Sequence, residues 1–236
     1  GLDSVDLAAA RELGIAVTNT PDVLTDEVAD LAVGLILATS RRIAAADRFV
    51  RAGRWLDGGF ALTGKVSGKR LGIVGMGRIG QAIARRAAAF DMQIAWHGPA
   101  KKDLPYRFEP QLVELACSVD LLVAACRGGA ATRGLISREV LTALGSKGIF
   151  INISRGSVVD EAAMVELLVN GQLGGAGLDV FVDEPRVPAA LFNLDNVVLQ
   201  PHQASATHET RGAMAQLVLD NIAAYAAGRP LLTPVN

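Results

Sequence analysis

Leu71-Gly-Ile-Val-Gly75-Met-Gly77-Arg-Ile-Gly80 is the segment of this 236-residue chain from which the fold can best be predicted. Its first residues are typical of a buried strand, and the Gln81-Ala-Ile-Ala-Arg-Arg-Ala87 segment after it is typical of a helix. The three glycines therefore fall on a strand-to-helix turn, the context in which this spacing binds a dinucleotide. Gly75 can form the turn, Gly77 has no Cβ to obstruct a pyrophosphate, and Gly80 lets the helix pack closely. Backbone N–H groups at the start of the helix would hold the phosphates. The alternative interpretation of the three glycines is a tight turn in an unrelated loop.

The same alternation of strand and helix extends along the chain. Short apolar, β-branched runs are separated by Ala-rich segments with helical spacing, which predicts βαβ units. We expect six strands, at about 71–75, 93–97, 120–125, 149–153, 176–180 and 196–199. We expect helices near 79–90, 110–116, 137–143, 160–170 and 208–227. The predicted fold class is α/β, with a doubly wound parallel sheet.

The first 69 residues contain three further predicted segments. Ile15-Ala-Val17 has the composition of a short strand. Thr25 to about Ala52 has helical spacing throughout, and Gly53 is a suitable end for one long helix. Residues 53–69 contain five glycines and little periodicity, so we expect a connecting arm there.

Composition narrows the classes of partner. Half of the residues are hydrophobic, and 23 basic against 24 acidic residues give no net field for nucleic acid or an anionic membrane. No apolar run is long enough to span a membrane, and Cys117 and Cys126 predict neither a disulfide framework nor a metal site. We expect a cytoplasmic protein that binds a small molecule, not nucleic acid or a membrane. The chain opens at Gly1 without an initiator methionine, which leaves open that it is a fragment.

The cofactor is predicted from the residues just after the second strand. An NAD site usually has an acidic residue about 20 positions after the glycines, which accepts hydrogen bonds from the ribose hydroxyls. Here the strand continues into His97-Gly98-Pro99-Ala-Lys101-Lys102, which contains no acid. Gly98 leaves room for the 2′-phosphate of NADP and Lys101 offers positive charge, so NADP (NADPH) is predicted over NAD. The alternative is that the lysines are ordinary solvated loop residues.

An arginine, a carboxylate and a histidine come after three later strands. Arg155, in Asn152-Ile-Ser-Arg155-Gly156, can hold a carboxylate through two parallel hydrogen bonds. Glu184 precedes Pro185, and His202 lies in Gln200-Pro-His202-Gln-Ala-Ser205. A carboxylate beside an imidazole favours the charged ring and fixes which nitrogen faces the substrate. Each has an alternative role when taken singly: a surface ion pair for Arg155, a solvated turn for Glu184 and a structural role for His202. The prediction therefore depends on all three together.

These motifs, in this order, resemble those of the D-isomer-specific 2-hydroxyacid dehydrogenase family, and within it those of glyoxylate and hydroxypyruvate reductases. The resemblance extends from Gly1-Leu-Asp-Ser-Val-Asp6 to Ala204-Ser-Ala-Thr-His-Glu-Thr210, essentially the whole chain. It implies that Arg155, Glu184 and His202 are the catalytic residues and that Asp179 orients the nicotinamide carboxamide. The further cofactor contacts that it implies are Arg78, Ile79, Cys126, Ile153, Ser154, Arg155, Asp179, His202 and Ala204.

The resemblance also implies how the chain is organised. A Rossmann-type cofactor domain would span residues 21–207, with the tail of a substrate domain at 1–20 and a helix at 208–236 returning to it. Family members have further residues before this tail, which build most of the substrate domain. They are usually homodimers through their cofactor domains, with the stretch that matches 34–70 as the dimer arm. Arg127-Gly-Gly129 departs from the family because a proline-containing segment is common there, which puts the adenosine contacts in doubt.

The function predicted from these features is reduction of a small 2-oxo acid, glyoxylate or hydroxypyruvate, to the D-2-hydroxy acid with NADPH. Two alternatives stay open: a dinucleotide-sensing binding protein similar to dehydrogenase-like corepressors, and an inactive cofactor-domain fragment. Formate dehydrogenation is disfavoured because that branch of the family has glutamine at the position of Glu184. The sequence does not rank glyoxylate, hydroxypyruvate and bulkier aryl or branched 2-oxo acids.

Overall fold

A single parallel sheet runs through the computed structural model, which describes residues 1–236. Its strands lie in the order β3-β2-β1-β4-β5-β6-β7, and every neighbouring pair is parallel. The bounds are β1 (Arg70–Val74), β2 (Gln93–His97), β3 (Arg107–Phe108), β4 (Leu121–Ala124), β5 (Ile149–Asn152), β6 (Gly175–Leu178) and β7 (Val197–Leu199). Strands β4 and β6 are buried at every position, which explains why neither contains a polar residue.

Helices cover both faces of the sheet. They are α1 (Leu7–Glu12), α2 (Thr25–Ser40), α3 (Ile43–Arg51), α4 (Arg78–Ala88), α5 (Leu112–Ser118), α6 (Arg138–Leu144), α7 (Glu161–Val169) and α8 (His208–Ala226). One hydrophobic cluster lies between the sheet and α5, α6 and α7, and a second lies between the sheet and α2 and α4. The predicted α/β class with a doubly wound parallel sheet is confirmed.

Two predictions about strands were wrong. The sheet has seven strands where six were expected, because β3 is only two residues long and shows no periodicity of its own. Ile15–Val17 joins no sheet. Its neighbourhood pairs instead with the end of the chain, where Val17 N donates to Asn236 Oδ1 at 2.9 Å and Val17 O accepts from Val235 N at 2.9 Å. The sequence pattern around residues 15–17 cannot reveal this pairing, because the partner residues lie more than 200 positions away.

The single long helix expected over 25–52 is two helices, so that prediction was also wrong. Arg42 adopts φ 48°, in the left-handed region, and α2 ends before it. The arm explains the break, because the N–H of Gly64 donates to the carbonyl of Ser40 at 3.0 Å and Arg41 Nε donates to Thr63 Oγ1 at 3.0 Å. These contacts fix the turn although no glycine or proline stands there.

The strand order reverses between β1 and β4. From β1 the chain proceeds outward to β2 and β3, returns to β4 on the other side of β1, and continues to β7. Open α/β sheets bind ligands outside the carboxyl ends of the strands at such a reversal. The glycine turn after β1 and the segments after β4 to β7 all lie at this edge of the sheet, which therefore places the candidate site.

The two ends of the chain meet outside the sheet. Thr233 Oγ1 donates to the carbonyl of Asn19 at 2.6 Å, next to the contacts of Val17 with residues 235 and 236. This contact agrees with the prediction that residues 1–20 and 208–236 belong to one unit, although the domain division itself stays a prediction.

None of the helices combines the length and the apolar character needed to cross a bilayer.

Candidate active site

The glycine turn after β1 leaves open space at one of its three glycines. Gly75 has φ 97°, and a Cβ on it would lie 2.6 Å from Cα of Cys126. A Cβ on Gly80 would lie 2.1 Å from the carbonyl oxygen of Gly75. By contrast, no protein atom lies within 4 Å of the Cβ position of Gly77. The protein itself requires glycine at the first and third positions, whereas at the second a Cβ would obstruct only a bound group.

The amino terminus of α4 faces this turn. No side chain caps the helix, whose N-cap residue is Gly77, so its first backbone N–H groups are available to an anion. Arg78 is held there by an ion pair between its Nε and Asp22 Oδ1 at 2.7 Å, and Ile79 is half-buried. The residues present fit a dinucleotide, with the phosphates at the start of α4.

The predicted ribose end of the cofactor lies after β2. Lys102 reaches back to the glycine turn, where its Nζ donates to the carbonyl of Met76 at 2.9 Å. Lys101, which the sequence favoured, is exposed and forms no hydrogen bond or ion pair within the chain. Gly98 comes directly after β2, and a Cβ on it would lie 3.1 Å from a ring carbon of Trp96. The lysine that contacts the glycine turn is therefore Lys102, one residue beyond Lys101, which the sequence indicated.

The segment after β4 lies beside the predicted arginine. The carbonyl of Cys126 accepts a hydrogen bond from the hydroxyl of Ser154, and burial raises the pKa of the Cys126 thiol, which disfavours the reactive thiolate. A Cβ on Gly128 would lie 2.5 Å from Cγ of Arg155. The departure Arg127-Gly-Gly129 thus has a local consequence that the sequence did not reveal: it provides room for the stem of Arg155.

The loop that carries Arg155 is fixed by a fully buried asparagine. Asn152 Oδ1 accepts from the N–H of Ser154 at 3.0 Å, and its Nδ2 donates to the carbonyl of Arg155 at 3.0 Å. Next to it, a Cβ on Gly156 would lie 1.9 Å from the carbonyl carbon of Phe181. The loop after β5 therefore contacts the loop after β6, and only glycine permits the approach. No role was predicted for Asn152, although an asparagine two residues before a turn is a recognisable signal.

The guanidinium of Arg155 is held on two sides. Its Nη1 donates to the carbonyl of Ser154 at 2.7 Å, and its Nε donates to Asp3 Oδ2 at 3.0 Å. The side chains of Asp3 and Arg155 are each 31% exposed. Asp3 was not among the predicted site residues, because 152 positions separate it from its partner and nothing local connects them.

His202 and Glu184 form the predicted pair. Nδ1 of His202 lies 2.7 Å from Oε2 of Glu184, while Oε1 accepts from the N–H of Phe181 at 3.0 Å. Partial burial acts to raise the pKa of Glu184, but the hydrogen bonds from His202 and Phe181 outweigh it and hold that pKa below its usual value. The carboxylate engages Nδ1, so Nε2 is the nitrogen left to face a substrate.

Asp179 holds the loop of His202. The carboxyl side chain is buried, and its two oxygens accept from the N–H groups of Gln203 at 2.8 Å and Ala204 at 3.0 Å. Its carbonyl accepts from the N–H of His202 at 2.8 Å. These three bonds stabilise His202 at φ 51°, a conformation that non-glycine residues rarely adopt. Burial raises the pKa of Asp179 in spite of these hydrogen bonds.

The remaining predicted residues lie at the same edge of the sheet with smaller roles in the geometry. Ile153 is buried in the core cluster, where Ala204 packs half-buried against it. Arg155, Glu184 and His202 come after β5, β6 and β7, which are adjacent in the sheet. The arrangement offers a cation for an anionic substrate and a carboxylate-paired imidazole for proton transfer, next to a dinucleotide-type turn.

The pair of Glu184 and His202 makes a prediction about pH. Because its pKa is lowered, Glu184 stays ionised as the pH falls below its usual range, so it keeps a negative charge beside Nδ1 of His202. We expect Glu184→Gln to lower the pH above which proton donation fails, with the smallest change in rate at acid pH. The pH profile of kcat checks this. A profile identical to the wild type would contradict the pairing, and Asp183→Asn, one residue away and paired with Arg186, is the control.

Comparisons of the chain with known proteins point to one family. Residues 33–204 match the family model described as D-isomer specific 2-hydroxyacid dehydrogenase, NAD binding domain. The chain is 57% identical to hydroxyphenylpyruvate reductase of Plectranthus scutellarioides and 54% identical to glyoxylate/hydroxypyruvate reductase A HPR2 of Arabidopsis thaliana. Both alignments cover 100% of this chain and 75% of the relative.

A solved structure is similar over the same extent. It is the NADPH-dependent glyoxylate/hydroxypyruvate reductase of Sinorhizobium meliloti in complex with NADP and malonate. The TM-score is 0.96 at 49% identity, covering 100% of this chain and 75% of that one.

Proposed function

Since this chain belongs to the D-isomer specific 2-hydroxyacid dehydrogenase family, we propose that it reduces glyoxylate or hydroxypyruvate to the D-2-hydroxy acid with NADPH. The observation that supports this best is the 2.7 Å contact between His202 Nδ1 and Glu184 Oε2, on the strand ends adjacent to Arg155. The names of the Arabidopsis and Sinorhizobium relatives support the substrate class.

Arg155 binds the substrate in this mechanism. Its guanidinium offers paired N–H donors that match the two oxygens of a carboxylate, and it polarises the neighbouring carbonyl. The guanidinium is held by the carbonyl of Ser154 and by Asp3, so the cation is oriented before substrate arrives. A 2-oxo acid has both groups on adjacent carbons, which explains why one arginine can act on both.

His202 supplies the proton. The protonated ring, paired with Glu184 through Nδ1, donates from Nε2 to the carbonyl oxygen as negative charge develops there. When bound, the nicotinamide cofactor supplies the hydride that C2 of the substrate receives. Asp179 keeps His202 in place through the three N–H groups of the loop.

The cofactor preference is inferred from the end of β2. We infer that NADPH is used before NADH, because Gly98 stands where NAD sites usually have an acid and Lys102 brings positive charge to the glycine turn. The Sinorhizobium structure, described as NADPH-dependent and containing NADP, supports this inference.

Replacing Gly98 tests the preference. We expect Gly98→Asp to raise the KM for NADPH relative to that for NADH by about 10-fold, since roughly 1.4 kcal/mol of repulsion between the carboxylate and the 2′-phosphate is sufficient. Steady-state kinetics with both cofactors measure it. Gly98→Asn is the matched control, because any side chain at this position meets Trp96 equally but asparagine has no charge. An equal effect of the two substitutions would contradict the electrostatic interpretation.

The activity itself is tested with the purified full chain. NADPH and NADH oxidation are followed in parallel with glyoxylate, hydroxypyruvate and 4-hydroxyphenylpyruvate as acceptors; the last is included because of the Plectranthus relative. We expect turnover with NADPH and the small acids. Dinucleotide binding without turnover on any 2-oxo acid would contradict the proposal and favour a cofactor-sensing protein.

We also infer that the chain forms a homodimer through its cofactor domain, with the stretch 34–70 as the dimer arm. Three apolar side chains there are strongly exposed, namely Trp55 at 68%, Leu56 at 94% and Leu62 at 99%. A cluster of exposed apolar residues on one segment is typical of an interface. Sedimentation analysis of the wild type and of Leu62→Asp measures it, and a monomeric wild type would contradict the inference.

A further inference from the structure

We propose that Asp3 is a positioning residue for Arg155, which selects the edge of the guanidinium that meets the substrate. The proposal rests on the proposed function, in which Arg155 binds the substrate carboxylate. It concerns a residue in the predicted tail, outside the three loops that carry the predicted catalytic residues. Its basis is the contact between Arg155 Nε and Asp3 Oδ2 at 3.0 Å.

The guanidinium has five N–H donors, and the protein uses specific ones. Asp3 accepts from Nε, and the carbonyl of Ser154 accepts from Nη1 at 2.7 Å. A Cβ on Gly1 would lie 2.1 Å from Nη2, so the backbone of the tail also stands close to the Nε–Nη2 edge. Because Nη1 and Nη2 each carry two hydrogens, one N–H of each remains at the outer end as a pair of parallel donors. Because Asp3 occupies Nε, the side-on pair of donors (Nε and Nη2) is not available to a substrate carboxylate. The carboxylate is left with the end-on pair (Nη1 and Nη2).

A second carboxylate competes for Arg155 if Asp3 is removed. The positive charge of Arg155 already contributes to the lowered pKa of Glu184. Gly128 lies directly against Cγ of Arg155, so packing holds the stem, whereas the guanidinium is oriented by its hydrogen bonds to Asp3 and Ser154. Without Asp3, only the bond from Nη1 to the carbonyl of Ser154 orients the guanidinium, which can then turn towards Glu184 and away from the substrate position. Asp3 thus keeps the cation away from the pair that transfers the proton.

Partial burial strengthens the ion pair between Asp3 and Arg155. At 31% exposure, both side chains are more shielded than those of most ion pairs of this chain, which strengthens the interaction relative to a surface pair. The hydrogen bond from Arg155 is the largest cause of the lowered pKa of Asp3, so the carboxylate stays ionised further into the acid range than an ordinary aspartate. The contact also links the tail before α1 to the carboxyl end of β5.

Charge and orientation predict opposite results, which makes the experiment decisive. Removing a negative charge beside Arg155 would, by charge alone, tighten the binding of an anion. If Asp3 orients Arg155, its removal weakens that binding instead. Oxamate, a carboxylate isosteric with a small 2-oxo acid, is titrated into the NADPH-saturated full chain, and the KM and kcat for glyoxylate are measured in parallel.

We expect Asp3→Ala to weaken oxamate binding and raise the KM for glyoxylate by about 10-fold, the usual cost of one charge-assisted hydrogen bond. Asp3→Asn keeps an oxygen for Nε, so it should stay within about 3-fold of the wild type. Asp6→Ala is the matched control, because Asp6 caps α1 on the same tail, through the N–H groups of Ala8 and Ala9 at 3.1 and 3.0 Å, and does not contact Arg155. NADPH affinity should be unchanged throughout.

Three outcomes would overturn the role of Asp3. They are unchanged or tighter oxamate binding by Asp3→Ala, an equal loss in Asp6→Ala, and an equal loss in Asp3→Asn. Asp3→Ser repeats the truncation with a polar residue, in case alanine unfolds the tail. Failure of the wild type to bind oxamate or to reduce any 2-oxo acid overturns the proposed function itself, whereas an active wild type with an equally active Asp3→Ala overturns only the positioning role of Asp3.

Discussion

Replacing His202 by asparagine is expected to lower kcat for the reduction of glyoxylate by about 1,000-fold, the middle of the range for loss of a general acid. Asparagine is the informative substitution because His202 has φ 51°, and asparagine tolerates the left-handed region better than alanine does. The backbone bond from residue 202 to the carbonyl of Asp179 is then kept, so the loop should stay in place. The substitution removes the proton on Nε2 and the pairing with Glu184.

The measurements that check this are single-turnover kinetics and the affinity for NADPH. We expect NADPH affinity to stay within about 2-fold of the wild type, a change of less than about 0.5 kcal/mol, because the proposed phosphate-binding site is at the start of α4 and not at His202. His208→Ala is the matched control, because His208 is exposed at the first position of α8. A loss of NADPH binding as large as the loss of turnover would mean that His202 is structural.

The second large effect is expected for Arg155→Lys. Lysine keeps the charge but loses the two parallel donors and the Nε bond to Asp3, so an ammonium cannot reproduce either contact. We expect kcat/KM for glyoxylate to fall by about 100-fold, or roughly 2.7 kcal/mol of transition-state stabilisation, with KM rising as kcat falls. Steady-state kinetics over a range of substrate concentrations separate the two parameters.

Arg127 is the competing arginine at this edge of the sheet. It lies after β4, which neighbours β5, and its side chain is exposed. Arg127→Lys should leave kcat/KM within about 3-fold of the wild type, because no part of the mechanism uses its fork. If Arg127→Lys lowers kcat/KM more than Arg155→Lys does, the arginine that binds the substrate is the one after β4 and not the one after β5.

Much of this site is predictable from local sequence because strand ends are local features. A buried strand, three glycines and a helix are contiguous in residues 71–87, so their spacing predicts the phosphate-binding turn. Arg155, Glu184 and His202 each come shortly after an apolar run, and a parallel sheet brings the carboxyl ends of its strands to one edge. The fold class and the edge at which the three loops lie were predictable for that reason.

Contacts between distant segments could not be determined from the sequence. The break of the 25–52 helix depends on Gly64 and Thr63 of the arm. The pairing of Val17 outside the sheet depends on residues 235 and 236. Whether Lys101 or Lys102 reaches the glycine turn depends on the path of a loop without periodicity.

Local sequence is sufficient to predict the α/β sheet, the glycine turn and the three motifs, because each arises from residues within about one strand and one turn of each other. The folded chain is needed to see that Asp3 holds Arg155, that Gly156 lets the β5 loop touch the β6 loop, and that Asp179 holds the loop of His202. The two kinds of feature differ in range: backbone periodicity depends on neighbouring residues, whereas the orientation of a functional side chain depends on atoms that folding brings from elsewhere in the chain.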